Sequence, residues 1–129
     1  MCKYLILLGL CVGYSLPNHA QNIAVLKGQK RILLVFESDA DSNFYIYQKL
    51  IETAHKAAFE ERDLVVIKVT DEEIYRKYGV DSDKSMVMLI GKDGQAKVQQ
   101  DHIFEATALF GVIDAMPMRR EEMKRQKNN

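Results

Sequence analysis

Three unbroken apolar runs limit the folds open to this chain: Ile32-Leu33-Leu34-Val35-Phe36, Leu64-Val65-Val66-Ile67 and Met86-Val87-Met88-Leu89-Ile90. Side chains alternate faces along a strand, so a short run with no polar residue is apolar on both faces. Each run therefore predicts a strand covered on both sides, and the β-branched residues of the first two favour that reading.

The segments between the runs set the remaining order. Phe44, Tyr47, Ile51, Ala54 and Ala58 recur at steps of three and four, widened by Ile46, Leu50 and Ala57. This predicts a helix with its apolar stripe on the sheet, and Asp41 or Ser42 is expected to cap its start. Strand, helix and strand form a βαβ unit, so the first two strands should be parallel. Thr70-Asp71-Glu72-Glu73 reads as a capping box with Thr70 at the cap. It opens a short helix through Ile74, Tyr75 and Tyr78 that Gly79 stops. Gly91-Lys92-Asp93-Gly94 predicts a hairpin turn into an edge strand on which Ala96 and Val98 alternate with polar residues. A helix from about Glu105 to Ala115 follows, and this region offers Phe104, Ala108, Ile113 and Met116 to the sheet. Pro117 interrupts it, and Met118 to Gln126 can form a further charged helical piece with proline in its first turn. The predicted order is β-α-β-α-β-β-α with a mixed central sheet, the thioredoxin-like arrangement of the α/β class.

The first twenty residues have a different character. Lys3 gives a positive start, Leu5 to Leu16 an apolar stretch, and Pro17-Asn18-His19-Ala20 a polar exit ending in a small residue. That is the layout of a signal peptide, with cleavage expected after Ala20; an uncleaved anchor is the alternative. The apolar stretch falls short of the about 20 residues that a membrane span needs. Residues 21–129 are then a single domain, with a short charged helix or tail over about 119–129. Once the leader is removed, no transmembrane segment is expected, and an exported location, periplasmic or extracellular, follows.

Both cysteines, Cys2 and Cys11, lie in the leader. Bulky Leu10 before Cys11 makes a poor lipoprotein box. The domain that follows has no thiol for disulfide formation, disulfide exchange or peroxide reduction. Lys3 is the one charged residue of the leader, so the rest carries seventeen basic and eighteen acidic residues, a formal charge of −1. That balance argues against nucleic acid as a partner.

Several segments together resemble a known family. They are Arg31-Ile32-Leu33-Leu34-Val35-Phe36, Glu61-Arg62-Asp63-Leu64-Val65-Val66, Gly91-Lys92-Asp93-Gly94 and Ile113-Asp114-Ala115-Met116-Pro117-Met118-Arg119-Arg120. They look like the cysteine-less, thioredoxin-like and peroxiredoxin-related domain of unknown function. That domain occurs in bacterial exported proteins and in vertebrate matrix proteins of the coiled-coil-domain-containing and sushi-repeat kinds. The resemblance runs from about Gly28 to Met123 and implies an extracytoplasmic home, with adhesion or scaffolding as the role in the matrix proteins. It supplies no catalytic residue. The chain departs from many members at Glu37-Ser38 and Gln95-Ala96.

In a thioredoxin-like fold the redox pair follows the first strand, where this chain has Glu37-Ser38-Asp39-Ala40-Asp41-Ser42-Asn43. Ser85 and Met86 stand where a cis-proline is usual. Asp39, Asp41 and Asn43 have calcium-like spacing, but Phe44 and Leu50 occupy the sixth and twelfth loop positions, which demand Gly and Glu. A polar turn with a helix cap is the plainer reading, and no metal is expected. The loop still lies where open α/β sheets place their ligands, so Ser38, Asp39, Asp41 and Asn43 form the expected binding loop. His55 and His102 have no neighbouring ligand residues, no Gly-x-Ser-x-Gly elbow supports a relay, and no glycine-rich loop suggests a nucleotide cofactor. No catalytic residue and no cofactor are therefore assigned. The tail from Arg119 to Asn129, five basic residues to two acidic, reads as a solvated helix end with a Glu121–Arg125 pair. The family-like residues Asp114, Met116, Pro117, Met118, Arg119 and Arg120 are expected to be a structural lock, with Arg119 or Arg120 paired to an acid. Met116, Met118 and Met123 are read as packing residues.

The sequence thus points to an exported, non-redox module that binds a protein or an envelope or matrix component. The alternative is an enzyme of another, non-thiol type that uses the Asp39/Asp41 loop, with or without a metal.

Overall fold

The computed structural model describes residues 19–129. The predicted leader, apart from His19 and Ala20, lies outside the described residues. The elements run α1 (His19–Leu26), β1 (Arg31–Phe36), α2 (Phe44–Ala54), α3 (Lys56–Glu61), β2 (Leu64–Lys68), α4 (Glu72–Tyr78), β3 (Met86–Ile90), β4 (Ala96–Gln100), α5 (Ala106–Asp114) and α6 (Pro117–Lys127).

The sheet order is β2-β1-β3-β4. β1 and β2 pair in parallel, whereas β3 is antiparallel to both β1 and β4. This is the mixed sheet of a thioredoxin-like fold, and the three apolar runs are its first three strands. β1 and β3 are central, and their apolar residues split between two cores. Leu33, Val35, Val87 and Leu89 meet Phe44, Phe59, Phe104, Leu109 and Ile113 from α2, α3 and the α5 region. Ile32, Leu34, Phe36, Met88 and Ile90 meet Ile23, Val69, Ile74 and Val80 on the α1/α4 face. β2 is an edge strand, so only Leu64 and Val66 are fully buried; Val65 and Ile67 are half-covered. The expectation of cover on both sides holds for two of the three runs.

Several local expectations are corrected. The predicted first helix breaks at His55, whose backbone leaves the helical region (φ −124, ψ 35). The break re-aims α3 so that Phe59 packs edge-to-face on Phe110 at 5.5 Å. Its inward face is Phe44, Gln48 and half-buried Ile51, whereas Ile46, Tyr47 and Leu50 are more than half exposed. Neither Asp41 nor Ser42 caps α2. Asn43 takes the cap position without a side-chain bond, and Glu37, from the end of β1, accepts from Tyr45 N–H at 2.8 Å. At α4 the cap is Asp71, one residue after the expected Thr70, and its carboxylate accepts from Glu73 N–H. Gly79 ends that helix at φ +65, a conformation costly for other residues. On α5 the buried residues are Leu109 and the expected Ile113; Ala108 is exposed. The helix α1 was not anticipated, and Ile23 on it completes the α1/α4 core. Among the described residues no helix is long and apolar enough to cross a membrane.

Candidate functional site

The carboxyl ends of β1 and β2 carry the expected binding loop. Ser38 is buried, unlike the residues after it. Its backbone N–H donates to Ser85 Oγ at 3.1 Å, and Ser85 Oγ donates to Ser38 Oγ at 3.3 Å. The second residue after β1 and the residue before β3 thus close on one another through hydroxyls. The described residues contain no cis peptide bond. Asp41 N–H donates to Ser38 O and Phe44 N–H to Asp41 O, so the loop turns tightly and leaves Asp39, Asp41 and Asn43 in solvent.

Beside this loop lies an open cleft of about 600 Å³ between the end of β1 and α4. Asp39 lines it with Glu37, Glu72 and Asp81, and Arg76 is the one cation among the lining residues. Asp41 and Asn43 do not contribute. Glu37 is committed, because it holds the start of α2 and pairs with Lys68 at 3.4 Å. Tyr75 forms one wall. Burial raises its hydroxyl pKa; a hydrogen bond with the Glu37 backbone opposes this, and the charges of Asp39 and Glu37 add to the rise. The phenol therefore stays a neutral hydroxyl in an acidic setting. Among the described residues, no group of three or more His, Cys, Asp or Glu side chains is placed to hold a metal ion. His55 and His102 are exposed at other places in the fold.

The second set of singled-out residues lies at the opposite end of the sheet. Arg119 is 1% exposed. It donates to Asp114 at 3.3 Å, to the Glu61 carboxylate at 2.9 Å and to the Glu61 carbonyl at 3.1 Å. Asp114 also takes both Nε and Nη2 of Arg62. Burial pushes the Asp114 carboxyl up, but the hydrogen bonds from Arg62 and Arg119 outweigh it and hold the group below the usual carboxylate range. Glu122 behaves alike: burial raises it, and Arg31 and Lys92 hold it lower. Arg31, at the first position of β1 and also 1% exposed, reaches Glu122 through both terminal nitrogens. Lys92 bridges Glu122 and Asp63. The four family-like segments therefore converge on one ion-pair network. Arg120 is exposed and outside it, Met116 is half-buried against the core, and Met118 is exposed rather than packed. Glu121 pairs with Lys124 instead of Arg125, which reaches only its backbone carbonyl.

Sequence reasoning passed over Glu37, Tyr75 and Asp81 in the cleft, and Arg31, Arg62 and Glu122 in the network. Arg31 had a usable signal: a cation at the head of a doubly buried strand needs a partner.

Comparison with known proteins adds a family and a similar solved structure. The family described as "Domain of unknown function (DUF4174)" matches residues 22–122. The crystal structure of the pneumococcal exposed lipoprotein thioredoxin from Streptococcus pneumoniae is similar at 15% identity and a TM-score of 0.46, covering 73% of this chain and 90% of that one. No curated protein matches significantly.

Proposed function

The chain belongs to the domain-of-unknown-function family DUF4174, and on that premise we propose that it is an exported, non-redox thioredoxin-like module that binds a protein or envelope component. The observation that carries the reading is the Ser38–Ser85 closure beside the acidic cleft. In the loop where a redox fold would present sulfur, this chain has Ser38 bonded to Ser85, and residues 19–129 contain no cysteine. Among the described residues no histidine or other base is bonded to Ser38, which is anchored by Ser85. What remains accessible is Asp39, Glu72 and Asp81 around a concave surface. Such a surface favours a partner that brings basic groups.

Export is supported by the signal-peptide layout of Lys3, the apolar stretch from Leu5 to Leu16 and the small residue Ala20. N-terminal sequencing of exported protein should find Gln21 first, and an intact Met1 would oppose cleavage. For the binding surface, affinity capture from the native compartment compares the natural protein with an Asp39→Lys/Asp81→Lys bait. The reading expects a partner retained by the first and lost by the second. Equal retention by both would contradict it.

A further inference from the structure

The sheet has two edges, and they are protected in different ways. On β4 the pairing with β3 skips Lys97, so a bulge and a charged residue interrupt that edge. Both features hinder a free edge from pairing with another chain. β2 pairs with β1 in unbroken register and is apolar from Leu64 to Ile67, with a lysine only at its end. Val65 and Ile67 are half-covered. This edge therefore offers a continuous backbone together with apolar side chains.

The pairing with β1 fixes which backbone groups of β2 face outward. Arg31 N–H donates to Asp63 C=O, and Val69 N–H donates to Val35 C=O. Successive residues of a strand turn their peptide groups to opposite sides, so Asp63, Val65, Ile67 and Val69 address β1. Leu64, Val66 and Lys68 address the outer side. The central donor of these three is occupied. Glu52, from α2, reaches the edge and accepts Val66 N–H on one carboxylate oxygen at 2.9 Å. Its other oxygen is held by Lys49, three residues earlier on the same helix.

Val66 is also the residue on which a second β2 would centre. Two β2 strands related by a two-fold axis at Val66 run antiparallel, and the two Val66 residues exchange both N–H···O=C bonds. Leu64 of each copy then pairs with Lys68 of the other. Val65 lies opposite Ile67, so the half-covered apolar residues cover one another. A carboxylate on the central donor blocks this ladder at its axis.

We propose that Glu52 is a guard that closes the β2 edge against a second copy of the chain and keeps the protein monomeric. Lys49 holds the guard in place, and withdrawing the carboxylate opens the edge to a two-fold, strand-to-strand dimer.

Sedimentation velocity combined with backbone amide exchange tests this. The natural protein should sediment as a monomer, with the Val66 amide protected and those of Leu64 and Lys68 exchanging freely. Glu52→Ala, at a helix position that favours alanine, should form a dimer whose fraction rises with concentration. In that dimer the amides of Leu64, Val66 and Lys68 should all be protected. Diluted to the monomer, the variant should exchange its Val66 amide about tenfold faster than the natural protein. Lys49→Ala, at a partly exposed site, loosens the guard and should give the same dimer at higher concentration. Glu52→Gln keeps an acceptor oxygen and should stay monomeric. No dimer from either alanine variant would reduce the contact to a tie between helix and strand and overturn the proposal. A natural protein already paired through β2, a dimer that leaves Leu64 and Lys68 unprotected, or equal dimerisation of Glu52→Gln would overturn it as well.

Discussion

Two buried polar side chains show how single residues hold this fold together. Gln48 is fully buried, and its amide mimics a strand neighbour: Nε2 donates to Phe104 O at 3.0 Å, and Oε1 accepts from Phe104 N–H at 2.8 Å. It ties α2 to the entry of α5. Gln48→Leu fills the space but strands both backbone groups, so it should cost about 2–4 kcal/mol, since each unsatisfied buried group costs about 1–3. Urea unfolding measures this, and a loss below about 0.5 kcal/mol would mean that water replaces the amide. Arg119 and Arg120 are neighbours with opposite fates. Arg119→Met keeps much of the buried stem but loses the bonds to Asp114 and Glu61. Both acids are partly exposed and can regain water, so the cost should be about 2 kcal/mol, below that of breaking a fully buried pair. Arg120→Met, at an exposed position, should change stability by at most about 0.5 kcal/mol. Equal effects from the two would contradict the assigned geometry.

At the scale of elements, α6 has two functionally different halves. Its first turns carry Arg119 and Glu122 into the network, and its end is solvated. A chain ending at Met123 should unfold at nearly the natural urea midpoint. One ending at Met118 loses Arg119 and Glu122 together and leaves Arg31 and Lys92 short of a partner, so it should lose several kcal/mol, on the order of 3–5. Matching midpoints would show that the segment is not structural. The strands, the hairpin and the proline-initiated α6 were legible in the sequence because each follows from a local rule: unbroken apolar runs, Gly94 at φ +80 in the turn, Pro117 at the helix start. What was not legible depended on partners distant in sequence. The run forming β2 reads like those of β1 and β3, and only the strand order makes it an edge. Tyr47 and Leu50 look like core beside Gln48, yet the helix faces the sheet through the amide. Glu122 sits in a tail whose composition reads as solvated, and its role appears only when Arg31 and Lys92 arrive from elsewhere. In the binding loop, Asp39 could be picked out, but its companions Glu72 and Asp81 come from another element and a later loop.

For the whole molecule, the two ends of the sheet divide the work. The network end carries three depressed carboxyls: Asp63, Asp114 and Glu122. In each, burial favours the neutral form but is outweighed by hydrogen bonds from Lys92, from Arg62 and Arg119, or from Arg31 and Lys92 respectively. A carboxyl with a folded pKa below its unfolded one stabilises the fold above the unfolded value, near pH 4. That contribution fades as pH falls through the lower folded value. Stability from this source should therefore be fully present at neutral pH and drop below about pH 4. Glu122→Gln should flatten that acid limb of a pH-dependent unfolding series, and an unchanged slope would remove Glu122 from the cause. The opposite end, closed by Ser38 and Ser85, carries the acidic cleft to which the proposed function assigns recognition. The most direct test places a photo-crosslinking residue at Ser82, inside the cleft, and in a second protein at Gln99 on the β4 edge, then irradiates each in its native compartment. The account predicts a discrete adduct from Ser82 that Asp39→Lys/Asp81→Lys abolishes, with none from Gln99. The same adduct from both positions, or one that survives the charge reversal, would contradict recognition through the acidic cleft.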